Sequence, residues 1–334
     1  MYPRIAISIG DYNGIGPEVT IKAVHELMDS NKMTPIILGS SKIVNFYLDT
    51  LDISLPYHAI SSIQDMYIGE VNVLECLPAD KIVIHMGQIE KNAGDMSMRA
   101  VETGINLCME HKADALVTAP ISKEAIQKAG YPYPGHTEFL ADKTNCKKYM
   151  MMMVNDRLRV GLVTIHIPLA EVVSQVTRKA ILGRIQSMHK TLSDDFDLKK
   201  PRIAVLGLNP HAGDGGVIGK EEIDIIRPAM NDAVQAGIET DGPFPADGFF
   251  GNRMYEQYDG VIAMYHDQGL IPFKTLSFNA GINFTAGLPI IRTSPDHGTA
   301  FDIAGKNKAS HKSLIQAIEL AYKLSMNRNK EYAS

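Results

Sequence analysis

Three histidines follow apolar runs that have the composition of buried strands. His166 ends the run VGLVTIH, His266 ends GVIAMYH, and His211 comes after IAVLGL with two residues in between. The carboxyl ends of the strands in an open α/β sheet border the crevice where ligands bind. Imidazoles there suit a first-row divalent metal ion and leave positions open for substrate oxygens, so the sequence predicts such a site. A lone histidine is more often an ordinary core or surface residue, and we expect this of His25, His58, His85, His111, His189 and His311.

The stretch 258–306 carries charged and amide side chains along a glycine-punctuated path. Within it, Lys274 and Arg292 beside Asn283 suit a phosphate or carboxylate, because Arg presents a fixed fork of donors and Lys a point charge. The alternative is that both cations are ordinary surface residues. We expect this stretch to bind substrate and cofactor.

Two aspartates, Asp247 and Asp267, lie in or just before the same stretch. A carboxylate in such a place can bind a metal ion, transfer a proton or cap a turn. Residue type does not separate these roles, and all three stay open.

The segment 10–18, GDYNGIGPE, predicts a strand-to-helix turn. Pro17 suits the first position of a helix, and Glu18 suits its first turn, where an acid meets the positive end of the dipole. The glycine spacing GxxxGxG is neither the dinucleotide GxGxxG nor a P-loop. A tight turn is favoured over a ligand loop, although Asp11 and Asn13 stand where a ligand would bind.

Strands alternate with helices along the whole chain, which predicts an α/β fold with a largely parallel sheet. A further prediction is that Ser122 caps a helix. We find no internal repeat. The predicted strands span residues 4–9, 35–38, 115–118, 150–154, 160–165, 203–208 and 261–265, and the clearest helices span 94–112, 220–237 and 312–326.

Composition narrows the class of protein. The chain has 334 residues, of which 45% are hydrophobic and 21% charged, with a formal net charge of −5. That balance argues against a nucleic-acid or membrane-surface partner. Three widely spaced cysteines predict neither a disulfide framework nor a thiolate metal site. A strand-like run begins at Arg4, so we expect no signal peptide. We therefore predict a cytoplasmic protein.

Six segments together resemble one enzyme family, that of 4-hydroxythreonine-4-phosphate dehydrogenase in pyridoxal 5'-phosphate (vitamin B6) biosynthesis. The resemblance covers essentially the whole chain, and its longer motifs are highly specific. The segments are GDxxGIGPE at 10–18, GHTEF at 135–139, TIHIPL at 164–169, GLNPHAGDGG at 207–216, PADG at 245–248 and AMYHDQGL at 263–270.

The resemblance implies a fold similar to that of isocitrate and isopropylmalate dehydrogenases, with two α/β lobes and an active site in the cleft between them. One lobe would comprise residues 1–125 and 268–334, including the cofactor loop. The other, 126–267, would carry the metal-site histidines and the contacts of a homodimer whose active sites lie at the subunit interface.

The resemblance also assigns roles to residues. His166, His211 and His266 would bind one zinc, magnesium or cobalt ion, and Asp247, Asp267 and Lys274 are the catalytic candidates. The segment DHGTAFDIAGK at 296–306 resembles the adenosine-binding loop of the decarboxylating dehydrogenases and would bind NAD or NADP. The expected substrate contacts are His136, Thr137, Lys274, Asn283 and Arg292, and the expected cofactor contacts are His297, Gly298, Thr299, Asp302 and Gly305.

The implied reaction is NAD(P)⁺-dependent oxidation of 4-phosphooxy-L-threonine at C3, followed by loss of CO₂ to give 3-amino-2-oxopropyl phosphate. The sequence departs from the family's usual residues at Tyr12-Asn13 and at 284–286. Phosphorylated threonate or erythronate is therefore the alternative substrate. A metal-dependent phosphatase or hydrolase that uses the same histidines is a more remote alternative, and a non-catalytic binding protein is the third.

Overall fold

The structure, a computed structural model, describes residues 2–28, 32–277 and 281–329. Its strands are β1 (Arg4–Ser8), β2 (Thr34–Gly39), β3 (His58–Ile60), β4 (Asn72–Glu75), β5 (Ala115–Thr118), β6 (Met150–Val154), β7 (Arg159–Leu162), β8 (Ile203–Leu206), β9 (Thr240–Phe244), β10 (Gly260–Ala263), β11 (Ile282–Ala286) and β12 (Arg292–Pro295). Its α-helices are α1 (Gly16–Met28), α2 (Ser41–Leu51), α3 (Lys91–Met109), α4 (Lys123–Lys128), α5 (His136–Lys143), α6 (Leu169–Gln175), α7 (Arg178–Asp194), α8 (Arg227–Gln235), α9 (Ala246–Gly251), α10 (His266–Ser277) and α11 (Lys312–Arg328).

The chain folds into two compact units, Met1–Lys147 with Leu288–Ser334 (unit 1) and Lys148–Gly287 (unit 2). Both boundaries lie later in the chain than the predicted 125/126 and 267/268. Helix α5 packs on α3, which keeps 126–147 in unit 1. Helix α10 packs on β7, and β11 pairs with β6, which keeps 268–287 in unit 2.

Unit 1 contains a parallel sheet in the order β3-β4-β2-β1-β5-β12. Its central strands β1, β2 and β5 are almost wholly buried, as expected of parallel strands covered on both faces. Side-chain caps fix helix starts, since the hydroxyl of Ser40 accepts from the Lys42 N–H and that of Ser122 from the Ala125 N–H. The predicted Ser122 cap is confirmed.

Unit 2 contains a mixed sheet in the order β11-β6-β7-β10-β8-β9. Strand β6 runs antiparallel to both of its neighbours, whereas β7, β10, β8 and β9 are parallel. Val160, Leu162, Val261 and Ala263 pack with Phe273 in its core. Because β7, β8 and β10 are parallel neighbours, their carboxyl ends lie at one edge of this sheet, where the sequence placed the three histidines.

The predicted α/β class is confirmed, and local differences have physical reasons. Helix α10 was not predicted at 266–277, because Gly269 and Pro272 interrupt the apolar pattern that marks a helix. Residues 242–248, a stretch with two glycines and two prolines, supply the end of β9 and the start of α9. Within the three described ranges, no helix is long and apolar enough to cross a membrane.

Candidate functional site

Arg292 of unit 1 has the largest fully buried side chain among the residues that the structure describes, with 1% of its surface exposed. It opens β12, beside β5, and its Nε and Nη2 atoms donate to the hydroxyl of Thr118 at 3.1 and 2.6 Å. Burial lowers the pKa of this guanidinium to about 9, an effect that Glu138 partly offsets. A cation held in this way has much to gain from an anionic ligand.

His136 stands at the first position of α5, with Thr137 next to it. Burial lowers the pKa of His136 well below its usual value, and the nearby charge of Arg292 lowers it further. Its Nε2 atom is buried and finds no hydrogen-bond partner in the described part of the chain. The structure thus places two of the predicted substrate contacts, His136 and Arg292, near each other at a helix N-terminus, a favourable position for an anion.

The predicted cofactor loop also belongs to unit 1 and is fixed by main-chain contacts. The carbonyl of Thr299 accepts from the Ile15 N–H at 2.9 Å, and a Cβ on Gly14 would lie only 2.8 Å from that oxygen. Gly305 has a left-handed φ of 70°, which favours glycine, and the end of the Met86 side chain packs against it. The segment at 10–18 therefore supports the loop, although its spacing had favoured a plain turn.

His297 in this loop is half-buried, and this burial lowers its pKa. Its Nδ1 atom lies 3.2 Å from the Gly298 carbonyl. Its Nε2 atom has no hydrogen-bond partner among residues that the structure describes. Asp302 is exposed, and its carbonyl accepts from Nζ of Lys306 at 2.6 Å. The fixed backbone and this buried imidazole nitrogen suit a polar ligand.

A polar network that the sequence did not predict lies under the same loop. Asn13 donates from Nδ2 to Glu90 at 3.0 Å and accepts from the His85 N–H at 2.8 Å, and His85 in turn pairs with Glu90. Asp11 is fully buried, and burial raises its pKa to about 6, with the charge of Glu90 adding to the effect. His85, expected to be an ordinary residue, is an exposed histidine whose ring pairs with Glu90 in this network. Its only signal was the polar pair Asp11 and Asn13 after β1.

In unit 2, His166 and His266 come together. Their ring centroids lie 5.6 Å apart, near the carboxyl ends of β7 and β10. The Nδ1 atom of His266 lies 2.7 Å from the Asp267 carboxylate, which leaves Nε2 as the nitrogen available to a metal ion. This contact gives Asp267 a further role beside the three that the sequence left open, namely the orientation of His266.

His211 lies in an unusual turn after β8. Five consecutive residues from His211 to Gly215 have left-handed φ angles, between 44° and 81°. Within the described residues, no group of three or more His, Cys, Asp or Glu side chains comes close enough to hold one metal ion. The structure therefore brings together two of the three predicted ligands within one chain and does not add His211 to them.

The remaining predicted residues are spread over unit 2. Asp247 is exposed in the first turn of α9, and Lys274 is exposed in the last turn of α10. Asn283 lies on β11 opposite Met153, and its Oδ1 atom is buried with no hydrogen bond to any residue in the described ranges.

Comparison with known proteins points to one family. The family model described as "Pyridoxal phosphate biosynthetic protein PdxA" matches residues 31–321. A 4-hydroxythreonine-4-phosphate dehydrogenase from Bacteroides thetaiotaomicron is 42% identical over 99% of this chain and 91% of its own. A relative from Oceanobacillus iheyensis, provisionally named D-threonate 4-phosphate dehydrogenase, is 39% identical over 96% of this chain and 98% of its own.

Solved structures agree with these relatives. The crystal structure of 4-hydroxythreonine-4-phosphate dehydrogenase from Klebsiella pneumoniae superposes with a TM-score of 0.89 at 38% identity, covering 97% of this chain and 98% of that one. The family expected from the six sequence motifs is confirmed: this chain belongs to the PdxA family of pyridoxal phosphate biosynthetic proteins.

Proposed function

We propose that this protein oxidises 4-phosphooxy-L-threonine at C3 with NAD⁺ or NADP⁺ and releases CO₂ to form 3-amino-2-oxopropyl phosphate. The observation that carries the proposal is the His166–His266 pair, backed by Asp267, in a chain of the PdxA family. Relatives of this family are named as dehydrogenases of that substrate.

The paired imidazoles fit a divalent metal ion. Two imidazoles that bind one zinc ion at about 2.0–2.1 Å have ring centroids roughly 5 Å apart, and the centroids of His166 and His266 are 5.6 Å apart. Zinc and cobalt suit imidazole nitrogens, whereas magnesium prefers oxygen ligands. We infer a zinc or cobalt ion at this pair.

The third ligand comes, in this proposal, from a second copy of the chain. Two imidazoles leave a catalytic metal one ligand short of the usual three. Large apolar side chains are exposed in the segments that follow each histidine, and such surfaces are typical of protein interfaces. They are Leu169 (72% exposed), Val173 (53%), Val217 (83%), Ile218 (46%) and Ile271 (63%). A homodimer would cover them and bring His211 of one copy to the pair of the other.

Arg292, His136 and Thr137 bind an anionic group of the substrate. The N-terminus of α5 adds its dipole to the charge of Arg292. The neutral His136 offers its Nε2 atom for a directed hydrogen bond. Lys274 and Asn283 complete the proposed set of substrate contacts, and the donors as a group fix the C3 hydrogen relative to the coenzyme.

The loop of His297, Gly298, Thr299, Asp302 and Gly305 holds the coenzyme. When bound, a divalent ion would supply Lewis acidity for the oxidation and for the loss of CO₂, and the nicotinamide coenzyme would supply the hydride acceptor. Asp267 orients His266, and Asp247 is the candidate for proton transfer. The free thiols of Cys76 and Cys108 agree with a reducing compartment, and we propose the cytoplasm as the location.

The second candidate substrate is a phosphorylated sugar acid such as D-threonate 4-phosphate, which the Oceanobacillus relative's name favours. It has the same phosphate and a C3 hydroxyl but no amino group. The two substrates share the metal and phosphate contacts, so only a direct comparison of rates separates them.

The test is coenzyme reduction, followed by the ultraviolet absorbance of NADH or NADPH, with each substrate in the presence of Zn²⁺ or Co²⁺. We expect 4-phosphooxy-L-threonine to give the higher kcat/KM and a chelator to abolish turnover. A higher kcat/KM for phosphorylated threonate or erythronate would assign the second candidate. Release of inorganic phosphate without coenzyme reduction would instead assign a metal-dependent phosphatase.

A further inference from the structure

The turn that carries His211 is closed by a buried carboxylate. Glu222, with 1% of its surface exposed, accepts from the N–H groups of Leu208 and Asn209 at 2.7 Å each through Oε1. Its Oε2 atom accepts from Nδ2 of Asn209 at 3.0 Å. Hydrogen bonds to an ionised acceptor are the strong ones, and three of them converge here on one side chain.

The backbone around this carboxylate is shaped to receive it. A Cβ on Gly213 would lie 2.6 Å from Oε2 of Glu222, and a Cβ on Gly207 would lie 3.1 Å from Oε1. Both glycines therefore leave the space that the carboxylate fills. Glu222 also opens a π-helical turn, Glu222–Ile226, a rare element that is frequent at functional sites.

The turn needs such support because its own conformation is unfavourable. His211, Ala212 and Asp214 are not glycines and yet have φ angles of 53°, 51° and 44°. Left-handed conformations of this kind cost roughly 1–2 kcal/mol per residue and persist only when the surroundings hold them.

A second contact ties this turn to the next strand end. Gln268 donates from Nε2 to the Gly207 carbonyl at 2.6 Å and accepts from the Met264 N–H at 2.7 Å. Glu222 thus binds the backbone at the start of the His211 turn, and Gln268 connects that same point to the segment just before α10. Helix α10 begins at His266.

We propose that Glu222 is a positioning residue that presents His211 to the metal ion by holding the turn 208–215. The part that concerns metal rests on the proposed function, whereas the hold on the turn does not. The neighbouring Glu221 provides the matched comparison, because it accepts from Nδ2 of Asn209 at 2.7 Å and from the backbone N–H groups of Lys220 and Glu221, which lie outside the turn.

The experiment compares Glu222→Gln with Glu221→Gln in the full-length protein. The first readout is hydrogen exchange of the Leu208 and Asn209 amides in metal-free protein. We expect slow exchange in the wild type and in Glu221→Gln and faster exchange in Glu222→Gln, because the neutral carbonyl of Gln is a weaker acceptor than the carboxylate and its NH₂ would face the Nδ2 donor of Asn209. Equal protection in both variants would overturn the proposal.

The second readout is Co²⁺ affinity, measured from the visible absorption of the bound ion below the unfolding temperature. Loss of a supporting partner of a metal ligand weakens binding about 10–100-fold. We expect a loss of that size in Glu222→Gln and a change of less than about threefold in Glu221→Gln. A purely structural role would lower the melting temperature and leave the Co²⁺ affinity unchanged, which would also overturn the proposal.

The outcomes separate this inference from the proposed function. If wild-type protein binds no Co²⁺ while Glu222→Gln loses amide protection, the metal site fails and the hold on the turn stands. If Glu222→Gln does not fold, hydrogen exchange in the wild-type protein tests the proposal. Rapid exchange of the Leu208 and Asn209 amides contradicts it, and slow exchange supports it. Asn209→Ala, which keeps both backbone bonds, should then retain most of the protection.

Discussion

The two units present their chemistry in opposite ways. In unit 1, Arg292 and the Nε2 atom of His136 are buried, and burial lowers the pKa of both groups. In unit 2, His166 and His211 are exposed and His266 is half-buried. A site for an anion can be complete in one chain, whereas the exposed histidines and apolar side chains of unit 2 are the basis for our proposal that a partner copy completes a metal site.

The largest effect on activity is expected from the histidines of unit 2. His266→Ala should lower kcat/KM on the order of 1,000-fold, because the Lewis acid contributes several kcal/mol to the transition state. His25→Ala, an exposed histidine of α1, is the matched control and should leave the rate unchanged. A His266→Ala enzyme within tenfold of the wild type would exclude His266 as a ligand.

The next largest effect is expected from Arg292, a buried cation of unit 1. Arg292→Lys keeps the charge but loses the fork that Arg presents, so we expect KM for the phosphorylated substrate to rise about 10–100-fold with little change in kcat. Arg184→Lys replaces a half-buried arginine that donates to the Tyr149 carbonyl, and should not change KM. Equal KM values for the two variants would argue against Arg292 as a substrate contact.

Asp11 gives a prediction about pH and stability. Its pKa is about 6 in the folded protein against 3.8 for an ordinary aspartate, so the folded state binds the proton more tightly. The contribution of Asp11 to the unfolding free energy of the wild type therefore falls as pH rises from 3.8 to about 6, and it is constant above that range. Because Asp11→Asn cannot ionise, its stability relative to the wild type should increase by about 3 kcal/mol over this range.

Urea unfolding at the two ends of the window checks this prediction. The exposed Asp49→Asn serves as the control and should show no such change. A constant difference in unfolding free energy between Asp11→Asn and the wild type at both pH values would show that the buried carboxyl does not titrate in this range.

The smallest effect concerns backbone strain in unit 2. Ala212→Gly relieves a left-handed alanine, with φ 51°, and should stabilise the protein by about 0.5–1 kcal/mol. Ala233→Gly, buried inside α8, should destabilise it by about 1 kcal/mol. If both variants are destabilised alike in urea, the turn at His211 is not strained.

Sequence patterns predicted the parts of the molecule that depend on local periodicity. The apolar runs before His166, His211 and His266 are strands or strand ends, and their shared placement predicted the side of the sheet on which two of these rings meet. Helix α10 was missed because Gly269 and Pro272 break its apolar pattern. The roles of Glu222 and of the Asp11–Glu90 network could not be predicted. Their hydrogen-bond partners are brought together by tertiary contacts, which produce no regular pattern along the sequence.

The shared metal site is the central claim, and mixing two inactive variants tests it directly. His211→Ala and His266→Ala are each expected to be inactive alone. If His211 of one copy joins His266 of the other, reassociated mixed dimers contain one intact site, and coenzyme reduction should recover to about a quarter of the wild-type rate. No recovery from verified mixed dimers would show that each site draws both histidines from a single chain, and would contradict the account.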